Sequence, residues 1–470
     1  MEKKGKIYRE EKILLSKKNK SSQNGGEISL DGKKIFVRTF GCQMNEKDSE
    51  RMVAKLGMIP VSSPEEADVI IVNTCAVREK PEHKVYSEVG KYVSLKERIK
   101  KDIKIGITGC VAQLKGSELL KTGADFVVGT HALHRIDEII SEVFLGKIVV
   151  DTSLTTNLSD RFESPIPYSF YDGSRVKAFV TIQEGCNQFC TFCVVPITRG
   201  REVTRPSQDI IREVIELVSL GVREVTLIGQ NVNGYGWNTP GEISFAQLLR
   251  ELNKIDGLYR IRFTTSNPRY MSDELISAMA ECEKVCEHIH LPVQSGSNKI
   301  LKKMARRYTV EEYLEIIDKL RRKIPGIAIT TDIIVGFPGE TEKDFEETVK
   351  LLKTVRFDDI FSFKFSPRPG TVAARMPDQI PEEEKSRRLK FVQDLQDKIT
   401  LEKMNEYIGK LEEILVEGPA ERNRDKDMTG RTRTGKPVNF EGKVEVGSLV
   451  YVKITEAFRN SLRGELVRQN

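Results

Sequence analysis

The segment Lys177–Arg201, KAFVTIQEGCNQFCTFCVVPITRGR, decides how the rest of the chain is read. An apolar, β-branched run that starts at Val176 and includes Phe179, Val180 and Ile182 predicts a buried strand. Cys186, Cys190 and Cys193 follow it in a C-x3-C-x2-C spacing, so they sit on a loop at the end of a strand. Three thiolates this close can converge on one soft metal centre, because thiolate favours iron–sulfur clusters or zinc over hard cations. A structural zinc is normally closed by four protein ligands, whereas three ligands on a four-iron cubane leave one iron open to bind something else. An open iron implies chemistry. The competing readings are a zinc knuckle that borrows a distant Cys or His, and three free core cysteines.

Composition sets outer limits. The 470 residues are 39% hydrophobic, enough for ordinary cores in roughly two to four domains. No apolar run reaches the roughly 18 residues of a membrane span, and the lysine-rich start lacks the apolar stretch of a signal peptide. A cytoplasmic protein with no membrane partner is expected. Eight cysteines in such a chain suggest metal ligation rather than disulfides. The net charge of +6 is uninformative about partners, because residues 1–34 hold nine Lys and one Arg against five acids and the remainder is nearly balanced. Residues 1–33, which include KKNKSSQNGGE, lack hydrophobic periodicity and read as a disordered basic arm.

Ordered sequence begins near Lys34. The apolar runs 35–40, 69–74, 103–108 and 124–129 alternate with helix-like segments at 45–56, 81–100 and 132–144, predicting an N-terminal open parallel α/β sheet over 34–150. Cys42, Cys75 and Cys110 each follow one of the first three strands, in TFGC, NTC and TGC. Open α/β sheets bind ligands outside the carboxyl ends of their strands, so these three can meet at one edge. A lone cysteine there would be a buried structural thiol. Three at equivalent strand ends make a second three-cysteine site.

Residues 151–175 are rich in Ser, Thr and Pro and read as a linker. From 176 to 400, strands near 176–182, 223–228, 260–264, 287–293, 327–335 and 359–365 predict a partial (β/α)6 barrel with its chemistry at the strands' carboxyl ends. Glycine-rich polar loops fall there: GQNVNGYG (229–236), LPVQSGS (291–297) and TDIIVGFPGET (331–341). The cysteine triplet, with aromatic Phe192 before its last member, resembles the cluster loop of radical S-adenosylmethionine (SAM) enzymes. That resemblance implies a [4Fe-4S] cluster whose open iron chelates SAM. By position it makes Gln230, Asn231, Gln294, Ser295, Val335 and Gly336 the cofactor-contacting candidates. Asp332 reads equally as a hydrogen-bonding strand-end residue. His288 and His290 read as satisfied barrel-interior side chains, and Cys282 and Cys286 as spare thiols.

A long polar helix from about 382 to 407 leads to a segment, 404–470, whose runs at 411–416, 428–433, 437–444 and 449–455 predict a small antiparallel β-barrel. Arg422, Arg424, Lys426, Arg431, Arg433 and Lys436 face only Asp425 and Asp427 locally, a concentration suited to RNA phosphates or to a solvated loop.

The whole order, three strand-end cysteines, a radical SAM barrel and a C-terminal TRAM-like barrel, resembles the methylthiotransferases from about residue 34 to 470. TFGCQMNEKDSE (39–50), NTCAVREKPEHKVYSEVG (73–90), CTFCVVPITRGRE (190–202), HLPVQSGS (290–297) and GRTRTGKPVNF (430–440) are similar to the branch that acts on isopentenyl-adenosine. SNPRYMS (266–272) departs where a histidine usually precedes the proline. The resemblance implies methylthio transfer to C2 of N6-isopentenyl-adenosine 37 in a tRNA anticodon stem-loop. It implies two [4Fe-4S] clusters, one on Cys42, Cys75 and Cys110 and one on Cys186, Cys190 and Cys193, and two SAM molecules. It also implies an external electron donor and a sulfur donor. Sister enzymes modify threonylcarbamoyl-adenosine or a ribosomal protein, and a non-catalytic iron–sulfur RNA-binding protein is the reading from another class.

Overall fold

The computed structural model describes residues 12–16, 29–76, 79–155, 157, 161–162 and 175–467. Seven strands build the first sheet: β1 (Lys12–Ser16), β2 (Lys34–Phe40), β3 (Ile59–Pro60), β4 (Val69–Thr74), β5 (Lys104–Gly109), β6 (Phe126–Val128) and β7 (Lys147–Asp151). Their order is β1-β7-β6-β5-β4-β2-β3, and every pairing except β1 with β7 is parallel. In β4, VIIVNT is buried at each position, as a strand covered on both faces requires. Because β2 lies between β3 and β4, the winding reverses beside it, and the crevice at that switch point opens at the carboxyl ends of β2 and β4.

Three strands were not expected, the two-residue β3 among them. β7 extends the sheet, and β1 pairs antiparallel with it from Lys12↔Asp151 to Ser16↔Lys147. The disordered-arm reading is thereby corrected for Lys12–Ser16, whose backbone finds ladder partners on an otherwise open edge. The rest of that arm up to residue 28 and most of the 151–175 linker lie outside the described residues.

The central barrel starts with β8 (Lys177–Thr181) and the short antiparallel pair β9 (Gln183–Glu184) and β10 (Val203–Thr204). It continues through β11 (Glu224–Ile228), β12 (Arg260–Phe263), β13 (His288–His290), β14 (Ala328–Val335) and β15 (Asp359–Lys364). Two parallel three-stranded sheets, β12-β11-β8 and β13-β14-β15, are joined by a bridge between Ile261 and Val285. The six principal strands thus form the expected partial barrel around one apolar core.

The helix Glu382–Asn405 leads to a closed barrel of β16 (Leu411–Pro419), β17 (Asp427–Thr432), β18 (Pro437–Glu441), β19 (Leu449–Ala457) and β20 (Leu462–Val467). β20 was not anticipated, and its pairing with β18 is parallel, so the small barrel is not wholly antiparallel. This unit docks on the starting ends of the central strands. Fully buried Arg260 donates to the carbonyls of Arg431 (2.6 Å) and Glu413 (3.0 Å), and Arg262 to those of Arg433 (2.9 Å) and Thr432 (2.8 Å). The central barrel is therefore stoppered at its base, away from the cysteine loop. Among the described residues no helix is long and apolar enough to cross a membrane.

Candidate active site

Cys42 opens the helix Gln43–Leu56, Cys75 follows β4, and Cys110 opens the helix Cys110–Lys115. The strand ends are fastened first by backbone: Cys75 N–H donates to the Phe40 carbonyl at 2.9 Å. They are fastened next by a buried asparagine pair, in which Asn45 Nδ2 donates to Asn73 Oδ1 (3.1 Å) and Asn73 Nδ2 to the Asn45 carbonyl (2.8 Å). Cys42 is exposed, whereas Cys75 and Cys110 are buried. A hydrogen bond with Cys75, helped by the Arg199 guanidinium, lowers the Cys42 thiol to about 6. Burial raises the Cys110 thiol even though Arg199 is within hydrogen-bonding reach of it. The three residues meet at the switch-point crevice.

The second loop is held at several points. β9 and β10 clamp its two limbs, and Cys186 N–H donates to the Gly200 carbonyl at 3.2 Å. Gly185 has φ +76°, and a Cβ there would lie 2.0 Å from the Arg201 carbonyl oxygen, so only glycine allows the limbs to cross. Thr191 is tied to the carbonyls of Met304 and Lys303, and Phe192 stands edge-on to Phe337 with centroids 6.4 Å apart. Backbone N–H groups of Gln188 and Val195 point at Cys186 Sγ and Cys193 Sγ, each at 3.5 Å. Arg306 Nη1 donates to Cys190 Sγ at 3.4 Å.

Burial pushes the Cys186 and Cys193 thiols up to about 12 each. Soft-metal ligation is the chemistry that ionises such thiols, and N–H donors with a guanidinium are what thiolate sulfur accepts. Among the described residues no three His, Cys, Asp or Glu side chains are grouped to hold a single metal ion. Three thiolates per loop leave a tetrahedral metal site short of one protein ligand, whereas a four-iron cluster tolerates one iron without a protein ligand.

The two triplets are neighbours. Val194, next to Cys193, is buried in the core of the first sheet together with Cys110, Val111 and Ala112. Arg199, six residues beyond Cys193, bonds Asp48 Oδ2 at 2.5 Å and lies 3.7 Å from Glu184 Oε1. Its carbonyl accepts from His131 Nε2 and Arg161 Nη2, both at 3.0 Å. Arg51 and Arg161 each approach Glu184 at 3.4 Å, and Lys47 bonds Glu213 at 2.9 Å. All of these side chains are buried. Sequence reading missed Arg199 and Arg306 because single arginines in basic stretches carry no signal of what they face.

The three comparisons of families, sequences and structures agree with this layout. The Radical SAM superfamily model matches residues 180–352, Uncharacterized protein family UPF0004 matches 34–129, and the TRAM domain matches 405–467. A tRNA-2-methylthio-N(6)-dimethylallyladenosine synthase from Syntrophus aciditrophicus (strain SB) is 47% identical over 461 residues, covering 97% of this chain and 98% of that one. The chain belongs to the tRNA-2-methylthio-N(6)-dimethylallyladenosine synthase family. A second family member, from Thermoanaerobacter sp. (strain X514), is 49% identical over 446 residues and covers 93% of each chain. At the level of fold, the radical S-adenosylmethionine methyltransferase TsrM from Kitasatospora setae aligns with a TM-score of 0.57 at 12% identity, over 73% of this chain and 74% of that one.

Within this family member, the loop residues first singled out are differently employed. Gln230 Oε1 accepts from Gly185 N–H at 2.5 Å and so braces the cysteine loop. Asn231 is buried beside Glu202, with neither amide atom in a well-formed hydrogen bond. Gln294 has φ +76° and is stitched to β14 through Asp332 and Ile334. Ser295 is turned to Thr348 (3.4 Å) and Ser297 N–H (3.2 Å). Val335 is buried, and Gly336 N–H donates to Glu340 Oε2 at 2.6 Å. His290 bonds Thr330 at 3.0 Å and faces Asp332 at 3.5 Å, a satisfied interior histidine.

The basic run divides. Arg422, Arg424 and Lys426 are exposed. Arg433 instead clamps Glu287 at 2.8 Å and the carbonyls of Glu283 and Val285, both at 2.8 Å. Lys436 is buried near Asp358 at 3.4 Å, and Arg431 pairs with Glu417 at 3.2 Å. Arg433 and Lys436 face acids of the central barrel, and their charges hold the C-terminal barrel to its base. The acids that claim them are distant in sequence.

Proposed function

We propose that this chain is a radical SAM enzyme that places a methylthio group on C2 of N6-isopentenyl-adenosine 37 in tRNA. The observation that carries the reading is the adjacency of two separate three-cysteine sites, bridged by Arg199 and Val194. Adenine C2 is an unactivated carbon beyond ordinary acid–base catalysis, so radical formation and sulfur delivery must converge on one base.

Cys186, Cys190 and Cys193 would hold the [4Fe-4S] cluster that binds SAM, and Cys42, Cys75 and Cys110 a second cluster. When bound, these groups supply reductive SAM cleavage and the site of sulfur transfer. The protein's own contributions are positional. Gln230 and the β9–β10 clamp fix the radical loop, while Arg306 places a cation on Cys190. Buried Arg199 and Asp48 hold the two loops in one register. Asn231, with unused amide capacity, suits a polar group of the cofactor, and Gln294 and Val335 belong to the same mouth. The division follows the sequence reading: an N-terminal methylthiotransferase domain over 34–150, the radical SAM domain over 176–400, and an RNA-binding barrel over 404–470. An external electron donor and a sulfur donor complete the reaction, in the cytoplasm where tRNA resides.

The test is the nucleoside profile of tRNA from a host lacking its own enzyme, with and without this gene. Appearance of 2-methylthio-N6-isopentenyl-adenosine supports the reading. Methylthiolated threonylcarbamoyl-adenosine, or no new nucleoside, overturns it.

A further inference from the structure

Trp237 is the chain's single tryptophan, and it is 61% exposed. It lies on the loop after β11, at the mouth of the central barrel. Gly236 sets its direction: φ is +75°, and a Cβ there would stand 2.1 Å from the Ile243 carbonyl oxygen. Trp237 N–H closes the turn onto the Gly234 carbonyl at 3.1 Å. The indole meets Tyr270 edge to face, with centroids 5.1 Å apart and planes at 73°. Tyr270 OH in turn accepts from Gln188 Nε2 at 2.6 Å, and Gln188 lies between Cys186 and Cys190. An exposed aromatic is thus braced, through one buried tyrosine, against the cysteine loop.

Beside it, Arg269 carries its guanidinium 5.8 Å from the Tyr270 ring. Arg269, Gln188, Cys190, Arg306 and Arg307 share one tight surface crevice, and no acidic residue lines it. Arg269 and Arg307 are exposed. A presented π face next to cations without a competing carboxylate is the chemistry of a nucleotide site, in which the base stacks and the phosphate pairs. Two other basic candidates, Arg433 and Lys436, are spent at the opposite end of the barrel.

We propose that Trp237 is the stacking platform for an unpaired loop nucleotide next to the reacting adenosine, with Arg269 and Arg307 taking its phosphate. This rests on the RNA substrate proposed above. The occupant is RNA rather than SAM, because the indole stands at the solvent-facing rim, whereas a cofactor chelated on the cysteine loop lies inside the mouth.

Because there is one tryptophan, its fluorescence reports on this position alone. The reconstituted full-length protein is titrated with an anticodon stem-loop RNA carrying isopentenyl-adenosine, and separately with SAM alone. The RNA is expected to quench the emission and SAM alone to leave it unchanged. In a competition binding assay W237A should bind the RNA about 5- to 150-fold more weakly, the range for losing one stacked base. W237F should stay within a few-fold of the parent, both variants having parental iron content and circular dichroism. RNA binding without quenching, together with parental affinity in W237A, overturns the platform and leaves the functional reading standing. Equal quenching by SAM alone assigns the ring to the cofactor and also overturns it. If the parent does not bind the RNA, both readings fall.

Discussion

The guanidinium of Arg199, on the loop that carries Cys186, Cys190 and Cys193, bonds the carboxylate of Asp48 at 2.5 Å, on the helix that Cys42 opens. Both side chains are buried. Burial pushes the Asp48 carboxyl up while Arg199 pulls it back, so the pair is tolerable only while both members are present. The orientation of one cysteine site against the other depends on this contact more than on any exposed ion pair, since exposed pairs contribute little.

Arg199→Met should therefore cost about 3–5 kcal/mol in chemical denaturation, the penalty for stranding a buried charge. The double variant with Asp48→Asn should lose less than the sum of the two single losses. Strict additivity would show that the pair is not coupled.

Cys186→Ala, Cys190→Ala or Cys193→Ala should each abolish SAM-dependent 5′-deoxyadenosine formation, because one of three ligands is gone. The triple alanine variant of Cys42, Cys75 and Cys110 should behave differently. It should hold roughly half the parental iron, since two clusters become one, still cleave SAM, and make no methylthiolated tRNA. Normal product from that variant would remove the N-terminal cysteines from the chemistry, and loss of SAM cleavage would make them a structural staple.

Arg433→Ala should weaken the attachment of the C-terminal barrel and lower stability, through its lost bonds to Glu287 and two carbonyls. The salt dependence of tRNA binding should change little. Replacing Arg422, Arg424 and Lys426 together should do the reverse, reducing the log-log salt slope by about one unit for each lost duplex phosphate contact. Salt titrations of tRNA affinity on the two variants separate the roles; the opposite pattern would return Arg433 to the RNA surface.

His288 sits at the barrel base near Gly435, where burial, then Arg262, lowers its pKa to about 3. Between that value and the ordinary one near 6.5, the unfolded chain carries a proton there and the folded chain does not, so stability falls as pH drops through this window. Urea midpoints measured from pH 7 to pH 4 should decline less steeply in His288→Gln than in the parent. Parallel curves would assign the acid sensitivity elsewhere.

Much of this was legible locally. The run VIIVNT predicted β4 to the residue, because a strand buried on both faces needs an unbroken apolar run. The positions of Cys42, Cys75 and Cys110 after successive strands followed from the same alternation. β1, β3, β7 and β20 escaped because such edge and closing strands are specified by the partner that accepts them more than by their own composition.

Sequence by itself therefore determined the order of the elements, the cysteine triplets and the loops that carry them, since hydrophobic period, glycine and ligand spacing are properties of neighbouring residues. Tertiary structure alone decided which charges meet. Arg433 and Arg424 look alike in the chain, yet one is clamped by Glu287 and the other is exposed. Likewise Arg199 gains its meaning from Asp48, and Trp237 from Tyr270. The physical reason is that the worth of a charge or a ring depends on its solvent exposure and its partner, and both are set by segments far away along the chain.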